Sequence, residues 1–552
     1  MTQSTPPFIG RTAQDQQILD DIEKVVGFDL PRAIGLARSA LARGVETPRV
    51  LTLVALQFEE EGRYPDAMRL LDRAAGLNPR DSSVWNSVGH CLVKQDKRRG
   101  AVAAFEHALA LDPTFAQPYY NLGTTLEYLG DYEGAREQFE RASRLFPDYA
   151  DPLAGLATLA VRGGDWPAAR AYAEQALALQ PFQPAAIAAL ASADMNDRNH
   201  EEAERRLCGM LEEPGLDRFD KPSIHCQIGD ALDGQGRYDE AFARYLEGKA
   251  GYRALYRGLF EGAGVETQLD FVNRLRAYFE AAPAEPWSAS APRGESEAWP
   301  ARGLSFLVGF PRSGTTLLEN VLASHPDVLA MDERATLYNT EPLYIADTAA
   351  LDHLGALPPA EASRRRAEYL EVIRGFGLNP AGKVIVDKMP LYTTKLGLIF
   401  KLFPGAKILF ALRDPRDVVL SCFRRSFQVN AGMYQFLTLD GAARFYDAVM
   451  RLAEVYRGKL PLDLHVVRYE NLVADFEGEA RAVCAFLGVG WTEKLHDFAA
   501  VARERRIRTP SAAQVRGGLY SGEGQWRRYA KHLEPVMPIL APWIERFGYA
   551  SD

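Results

Sequence analysis

GFPRSGTT, Gly309 to Thr316, is the stretch on which the fold turns. The apolar run LSFLV precedes it and LLENVLASH follows, the pattern of a buried strand that turns through glycines into a helix. Gly309 and Gly314 have the spacing of the phosphate-cradling loop G-x-x-x-x-G-K-[ST], but Thr315 stands in the place of its lysine. What remains is a run of backbone N–H donors at a helix N-terminus, Arg312 as a fixed cation, and the hydroxyls of Ser313, Thr315 and Thr316. A sulfuryl group, less negative than a terminal phosphoryl, suits such a set with side-chain cations and without a metal.

Downstream of Gly303 the runs LSFLVGF, KVIVD, AKILFAL and LHVVRY read as strands alternating with helices, which predicts an α/β domain built on a mainly parallel sheet. Upstream, AAPAEPWSASAPRGESEAWPARG lacks periodicity and reads as a linker or surface excursion after a short helical stretch. Further upstream the chain repeats itself. Pro79, Pro113, Pro147 and Pro181 recur every 34 residues. In the same register stand the small-residue columns Ala55/Gly89/Gly123/Ala157, Ala67/Ala101/Ala135/Ala169 and Ala74/Ala108/Ala142/Ala176. Bulky residues keep it too: Leu51/Trp85/Tyr119/Leu153, and Leu71/Phe105/Phe139/Ala173. Small residues mark the close approach of two helices and the bulky ones fill the space, so every aromatic of these columns is expected in the core.

The organisation expected is therefore an all-α solenoid of six or seven helical hairpins over 14–255, a helix and Pro/Ala/Ser-rich linker over 256–302, and an α/β domain over 303–552. With 47% hydrophobic and 25% charged residues the composition is that of a globular protein, and a net charge of −9 gives no basic footprint for nucleic acid. Cys91, Cys208, Cys226, Cys422 and Cys484 are scattered and odd in number, as expected of buried, reduced thiols rather than a disulfide framework or zinc site. The start MTQSTPPFIGRTAQDQQ shows no signal peptide and no apolar run reaches spanning length, so a cytoplasmic location is the expectation.

Two resemblances follow. The 34-residue register resembles tetratricopeptide repeats, which implies a concave surface for peptides or proteins. GFPRSGTT resembles the 5′-phosphosulfate loop of sulfotransferases, whose donor is 3′-phosphoadenosine-5′-phosphosulfate (PAPS), and ILFALRDPRDVVLSCFRRSF, Ile408 to Phe427, looks like their 3′-phosphate motif. The resemblance implies that Arg312, Ser313, Gly314, Thr315 and Thr316 hold the 5′ end, while Arg413 and Ser421 grip the 3′-phosphate. Arg425, one helical turn beyond Ser421, is expected to face the same anion. The tyrosylprotein branch is the most similar, because PRSGTT is followed by HPDV and an acidic pair. By that resemblance Glu333, 21 residues after Arg312, is the catalytic base, with Asp332 as the adjacent alternative. Lys388 and Ser511 are implied to stabilise the transferring group, Gln514 and Val515 continue the serine's match, and Tyr469 is a nucleotide contact.

Two positions depart from that branch. Ala335 stands where an arginine is expected two residues after the base, with Arg334 one early, and Gln525 replaces a lysine before Trp526, with Arg527 and Arg528 nearby. The acceptor therefore stays open among a protein tyrosine, a glycan hydroxyl and a small alcohol. Two other classes stay open as well: an altered nucleotide hydrolase or kinase, with Asp387 of KVIVD as metal ligand, and an inactive repeat-based adaptor. His325 reads as a helix C-terminal cap, Lys388 has Asp387 or another acid as a candidate salt-bridge partner, and Arg503, Arg505, Arg506 and Arg508 form a basic run.

Overall fold

The structure is a computed structural model that describes residues 12–95, 97–262, 264–290, 292, 299–505, 518–519 and 521–550. The chain divides into two compact units, Met1–Asp197 and Arg198–Asp552.

Among the described residues the first unit is all helix: α1 (Ala13–Val25), α2 (Leu30–Ala42), α3 (Pro48–Glu60), α4 (Tyr64–Leu77), α5 (Ser82–Lys94), α6 (Arg98–Leu111), α7 (Ala116–Leu129), α8 (Tyr132–Leu145), α9 (Ala150–Gly163), α10 (Trp166–Leu179) and α11 (Pro184–Asn196). Local chemistry starts and stops them. Thr12, Asp29, Thr47, Asp81, Asp131 and Asp165 accept first-turn N–H groups as N-caps, and Gly130 and Gly164 end α7 and α9 in the left-handed conformation. Consecutive helices pack as antiparallel hairpins, so the N-terminal solenoid is present as expected.

The repeat columns acquire a physical meaning here. A methyl group on Gly89 would lie 2.5 Å from the Phe105 ring, and one on Gly123 2.5 Å from Phe139. Where the first column carries Ala instead, at Ala55 and Ala157, the second carries Leu71 and Ala173, all four residues at 0% exposure. Glycine thus stands where the second column carries a ring, and alanine where it carries a smaller aliphatic side chain. Gly89→Ala is expected to cost roughly 1–3 kcal/mol by overpacking, and Phe105→Leu in the same chain to recover most of it. Urea unfolding of the two variants checks this, and an equal loss in the double variant would contradict the pairing.

The proline column is tied to the aromatic one: the Trp85 indole N–H donates to the Pro79 carbonyl (2.9 Å) and the Tyr119 hydroxyl to that of Pro113 (3.2 Å). Trp85 departs from the expectation of full burial. Its ring is only partly buried and lies edge-on to His107, because reaching the Pro79 carbonyl keeps the indole near the surface.

The second unit opens with three more helices in repeat style, α12 (His200–Leu211), α13 (Lys221–Gly234) and α14 (Tyr238–Phe260), followed by α15 (Gln268–Ala281). In the α13–α14 hairpin Gly229 faces Tyr245 as Gly89 faces Phe105. Within the Pro-rich stretch that follows, Trp287 is fully buried and packs 4.5 Å from Phe279 of α15.

Among the described residues five parallel strands form the sheet: β1 (Gly303–Gly309), β2 (Val328–Met331), β3 (Val384–Lys388), β4 (Lys407–Leu412) and β5 (Asp463–Arg468), in the order β2-β3-β1-β4-β5. The α/β class is as expected, and β2 is the strand the sequence reading missed. Its four residues, VLAM, are too short to carry a period. One face buries Leu307, Val386, Leu409 and Val467 in a core shared with α16 (Thr315–Ala323). Central β1 has β3 on one side and β4 on the other, so the direction of winding switches at its carboxyl end. In open parallel sheets that is where a crevice forms.

Candidate active site

Nearly every site residue singled out from the sequence and described here lies at or just beyond the carboxyl end of a strand: the loop after β1, Asp332 and Glu333 after β2, Lys388 at the end of β3, Arg413 after β4 and Tyr469 after β5. The exceptions are Ser421, carried by α17 (Pro415–Arg424), which begins just after β4, and Arg425, which caps its C-terminus. Ser511, Gln514, Val515, Arg506 and Arg508 lie outside the described residues.

The loop is built by its glycines. Gly309 has φ 150°, and a methyl there would meet the Ala411 carbonyl oxygen of β4 at 2.5 Å. The Thr393 hydroxyl brackets Gly309, accepting its N–H (2.9 Å) and donating to its carbonyl (2.6 Å). Gly314, φ 93°, is the N-cap of α16, and a methyl there would lie 2.7 Å from the Tyr469 ring. Between them Arg312 takes φ 72°, a left-handed conformation that costs a non-glycine residue on the order of 1 kcal/mol. Ser313, Thr315 and Thr316 are buried. The first-turn N–H groups of α16, which a helix leaves without intrahelical acceptors, thus sit at the switch point.

The strained arginine joins the two motifs, because Arg312 Nε donates to Ser421 Oγ of α17 (2.9 Å). Arg413 donates to the Arg312 carbonyl (3.3 Å) and to the Gly522 carbonyl, and its guanidinium lies 4.7 Å from the centre of the Tyr469 ring. Asp417 approaches it at 3.8 Å and accepts the N–H groups of Gly524 (2.8 Å) and Trp526 (2.9 Å). Burial, against the pull of Arg413, pushes Asp417 up to about 6. Burial first, then the guanidiniums of Arg425 and Arg413, pull Arg312 down to about 9. It stays cationic at neutral pH, so three positive groups crowd one end of the sheet.

Arg425 reaches this cluster by a route the sequence did not suggest. The helix ends at Arg424, and Arg425 is an extended cap residue (φ −73°, ψ 141°), so backbone geometry beyond the helix, not the i,i+4 face, aims it. Its guanidinium lies 3.7 Å from Asp230 of α13.

On the other side of β1 the acidic pair meets Lys388. The Lys388 ammonium, fully buried, donates to Glu333 Oε1 (2.9 Å) and Asp332 Oδ1 (3.2 Å) and lies 3.4 Å from Glu319. Burial alone would lower its pKa, but the Glu333, Glu319 and Asp332 carboxylates outweigh it and hold Lys388 above the ordinary lysine range. The two acids differ. Asp332, 12% exposed, also accepts the Glu333 backbone N–H (2.8 Å), whereas the Glu333 side chain is 33% exposed. Asp332 braces the turn and Glu333 faces solvent.

Asp387 is not the partner of Lys388. Its buried carboxylate accepts from the hydroxyls of Thr336 (2.6 Å) and Tyr369 (2.9 Å), and burial raises it to about 6. Those bonds tie the Glu333 loop to β3. His325 is no dipole cap either: Asp327 N–H donates to its Nδ1 (3.0 Å) and Nε2 meets the Gly490 carbonyl (2.7 Å), so the ring pins two loops. Arg334 lies over the Phe376 ring, and Arg527 and Arg528 over Trp526 and Tyr238. Cys91, Cys226, Cys422 and Cys484 are buried and Cys208 is half-buried.

Glu319 is the residue sequence reading missed. It sits 2% exposed on α16, where Arg505 bonds it at 2.8 Å. A lone acid in the apolar run TTLLENVLA was the available signal, since a buried carboxylate needs a cation. Arg505, part of the basic run, is that cation and not a solvated charge.

The described residues thus form a parallel α/β domain with arginines and acids gathered at its switch point, in one chain with a helical-repeat array. The model described as "Sulfotransferase family" matches residues 305–493, and the tetratricopeptide-repeat model matches 89–150, 120–184 and 154–208. Protein-tyrosine sulfotransferase 1 of Homo sapiens is 30% identical over 263 residues, 45% of this chain and 69% of that protein. The chain belongs to the sulfotransferase family. Protein-tyrosine sulfotransferase 2 of Gallus gallus is 29% identical over 253 residues, 44% of this chain and 63% of that enzyme. An uncharacterized protein of Aquifex aeolicus (strain VF5) is 29% identical over 252 residues, 44% of this chain. The chain spans 32% of that Aquifex protein's length. Among the described residues no helix is long and apolar enough to cross a membrane.

Proposed function

We propose that the protein transfers a sulfuryl group from PAPS to an acceptor hydroxyl, a protein tyrosine being the leading acceptor, and that the repeats recruit a protein bearing it. The observation that carries this reading is the convergence of Arg312, Arg413 and Arg425 with Ser421 at the N-terminal turn of α16. Like charges held this close call for an anion, and the buried Nε of Arg413 has no hydrogen-bond partner among the described residues. The missing Cβ of Gly314 leaves a cradle that Tyr469 borders.

In this reading the loop and α16 bind the 5′-phosphosulfate, and Arg413, Ser421 and Arg425 bind the 3′-phosphate. PAPS supplies the electrophilic sulfur and leaves as 3′,5′-adenosine bisphosphate. Glu333 takes the acceptor's proton as the acceptor oxygen bonds to sulfur and the bond from sulfur to the phosphate oxygen breaks. Lys388 and Ser511 stabilise the charge shifted to the departing oxygen. An anion-only site is consistent with Thr315 in the lysine's place. The hydrolase alternative needs Asp387 as a metal ligand, and its bonds to Thr336 and Tyr369 inside the core speak against that.

The test is a transfer assay from labelled PAPS to tyrosyl peptides, a glycan and a small phenol. Label is expected on the peptides, and removal of residues 1–197 is expected to raise KM for a protein acceptor far more than for the phenol. Equal effects on both would refute recruitment, and label on the glycan alone would refute the tyrosine acceptor.

A further inference from the structure

The α13–α14 hairpin is built like a repeat, yet its side chains terminate the helix that carries Ser421. Lys249 of α14 is 2% exposed, and among the described residues no carboxylate lies within 4 Å of its ammonium group. Its Nζ donates instead to the Arg425 carbonyl (2.6 Å), at the end of α17. A cation at a helix C-terminus is favoured by the helix dipole and by the carbonyls that lack intrahelical donors. Around it the same hairpin makes further contacts: Asp233 pairs with Arg424 (2.7 Å), the Tyr245 hydroxyl accepts from Arg424 (3.2 Å), and Phe242 packs 5.4 Å from Phe423. The Tyr529 hydroxyl donates to Asp233 (2.6 Å), closing the cluster from the C-terminal side.

A buried lysine without a close counter-ion is costly, and the only bond it makes among the described residues fixes one peptide group. That peptide is where α17 stops and Arg425 turns extended, so its orientation sets where the Arg425 guanidinium points. We infer that Lys249 is a positioning residue for the donor's 3′-phosphate: by capping α17 from the repeat-like hairpin it aims Arg425, which makes that hairpin part of the nucleotide site. The inference rests on the sulfotransferase reading proposed above.

Calorimetry on the full chain tests it, with 3′,5′-adenosine bisphosphate and adenosine 5′-phosphate as the two probes. Lys249→Met, close in volume, is expected to weaken the bisphosphate about tenfold while leaving the 5′-phosphate unchanged, and to add no further loss in an Arg425→Ala background. Asp233→Asn, which keeps its shape on the same hairpin, is expected to show the same selective loss and serves if the lysine variant fails to fold. Parallel loss of both nucleotides, or an additive loss with Arg425→Ala, would reduce Lys249 to a structural residue and overturn the inference. Unchanged bisphosphate binding would do the same. A wild-type chain that binds no bisphosphate would instead remove the donor reading itself.

Discussion

Glu333→Gln is expected to lower kcat about a thousandfold, the middle of the range for loss of a general base, and to leave the affinity for 3′,5′-adenosine bisphosphate unchanged. The expectation rests on how the acids divide the work. Glu333 is the member of the pair open to solvent, while Asp332 is spent on the turn and Glu319 is buried with Arg505. Lys388 keeps Asp332 and Glu319 when Glu333 is neutral, so the ammonium stays charged and in place. Rate constants measured alongside a bisphosphate titration separate the outcomes. Near-normal turnover would move the base to Asp332, and loss of nucleotide binding would show that Glu333 holds the site together instead of acting on the acceptor.

Arg413→Ala is expected to weaken bisphosphate binding at least about a hundredfold, as when one partner of a buried charge-assisted contact is removed. Adenosine 5′-phosphate, which lacks the 3′ group, should lose far less. Arg413 also binds the Gly522 carbonyl and lies on Tyr469, so truncation alone confuses charge with loop anchoring. Arg413→Lys resolves this: a point charge without the planar fork should fall between wild type and alanine. Equal losses for both nucleotides would mean that the arginine serves only to hold the 522–526 segment.

The fold was legible in the sequence where a period or a loop signature runs long enough to exceed chance. The 34-residue columns held over four repeats, and four of the strands stood out as apolar-rich stretches, LSFLVGF, KVIVD, AKILFAL and LHVVRY. Four-residue β2 was not legible. Nor was the role of Trp287, which a Pro-rich context marks as surface although the ring is buried beside Phe279. At the site, the residues proposed to touch the ligand follow local motifs and were named. Their supports were not: Thr393 beneath Gly309, Glu319 beneath Lys388, and Lys249 behind Arg425 come from distant parts of the chain. The Lys249 pairing spans 176 residues, and periodicity groups that helix with the repeats, whereas packing groups it with the sheet domain.

GFPRSGTT is proposed to hold a phosphosulfate and not a hydrolysable triphosphate. Calorimetric titration of the full chain with 3′,5′-adenosine bisphosphate, run beside ATP·Mg²⁺, tests it most directly. Binding of the bisphosphate alone is expected, abolished or severely weakened in Arg413→Ala. Preference for ATP·Mg²⁺ would contradict it and make the loop that of an altered nucleotide hydrolase. Silence with both would leave a repeat protein whose catalytic half no longer binds its donor.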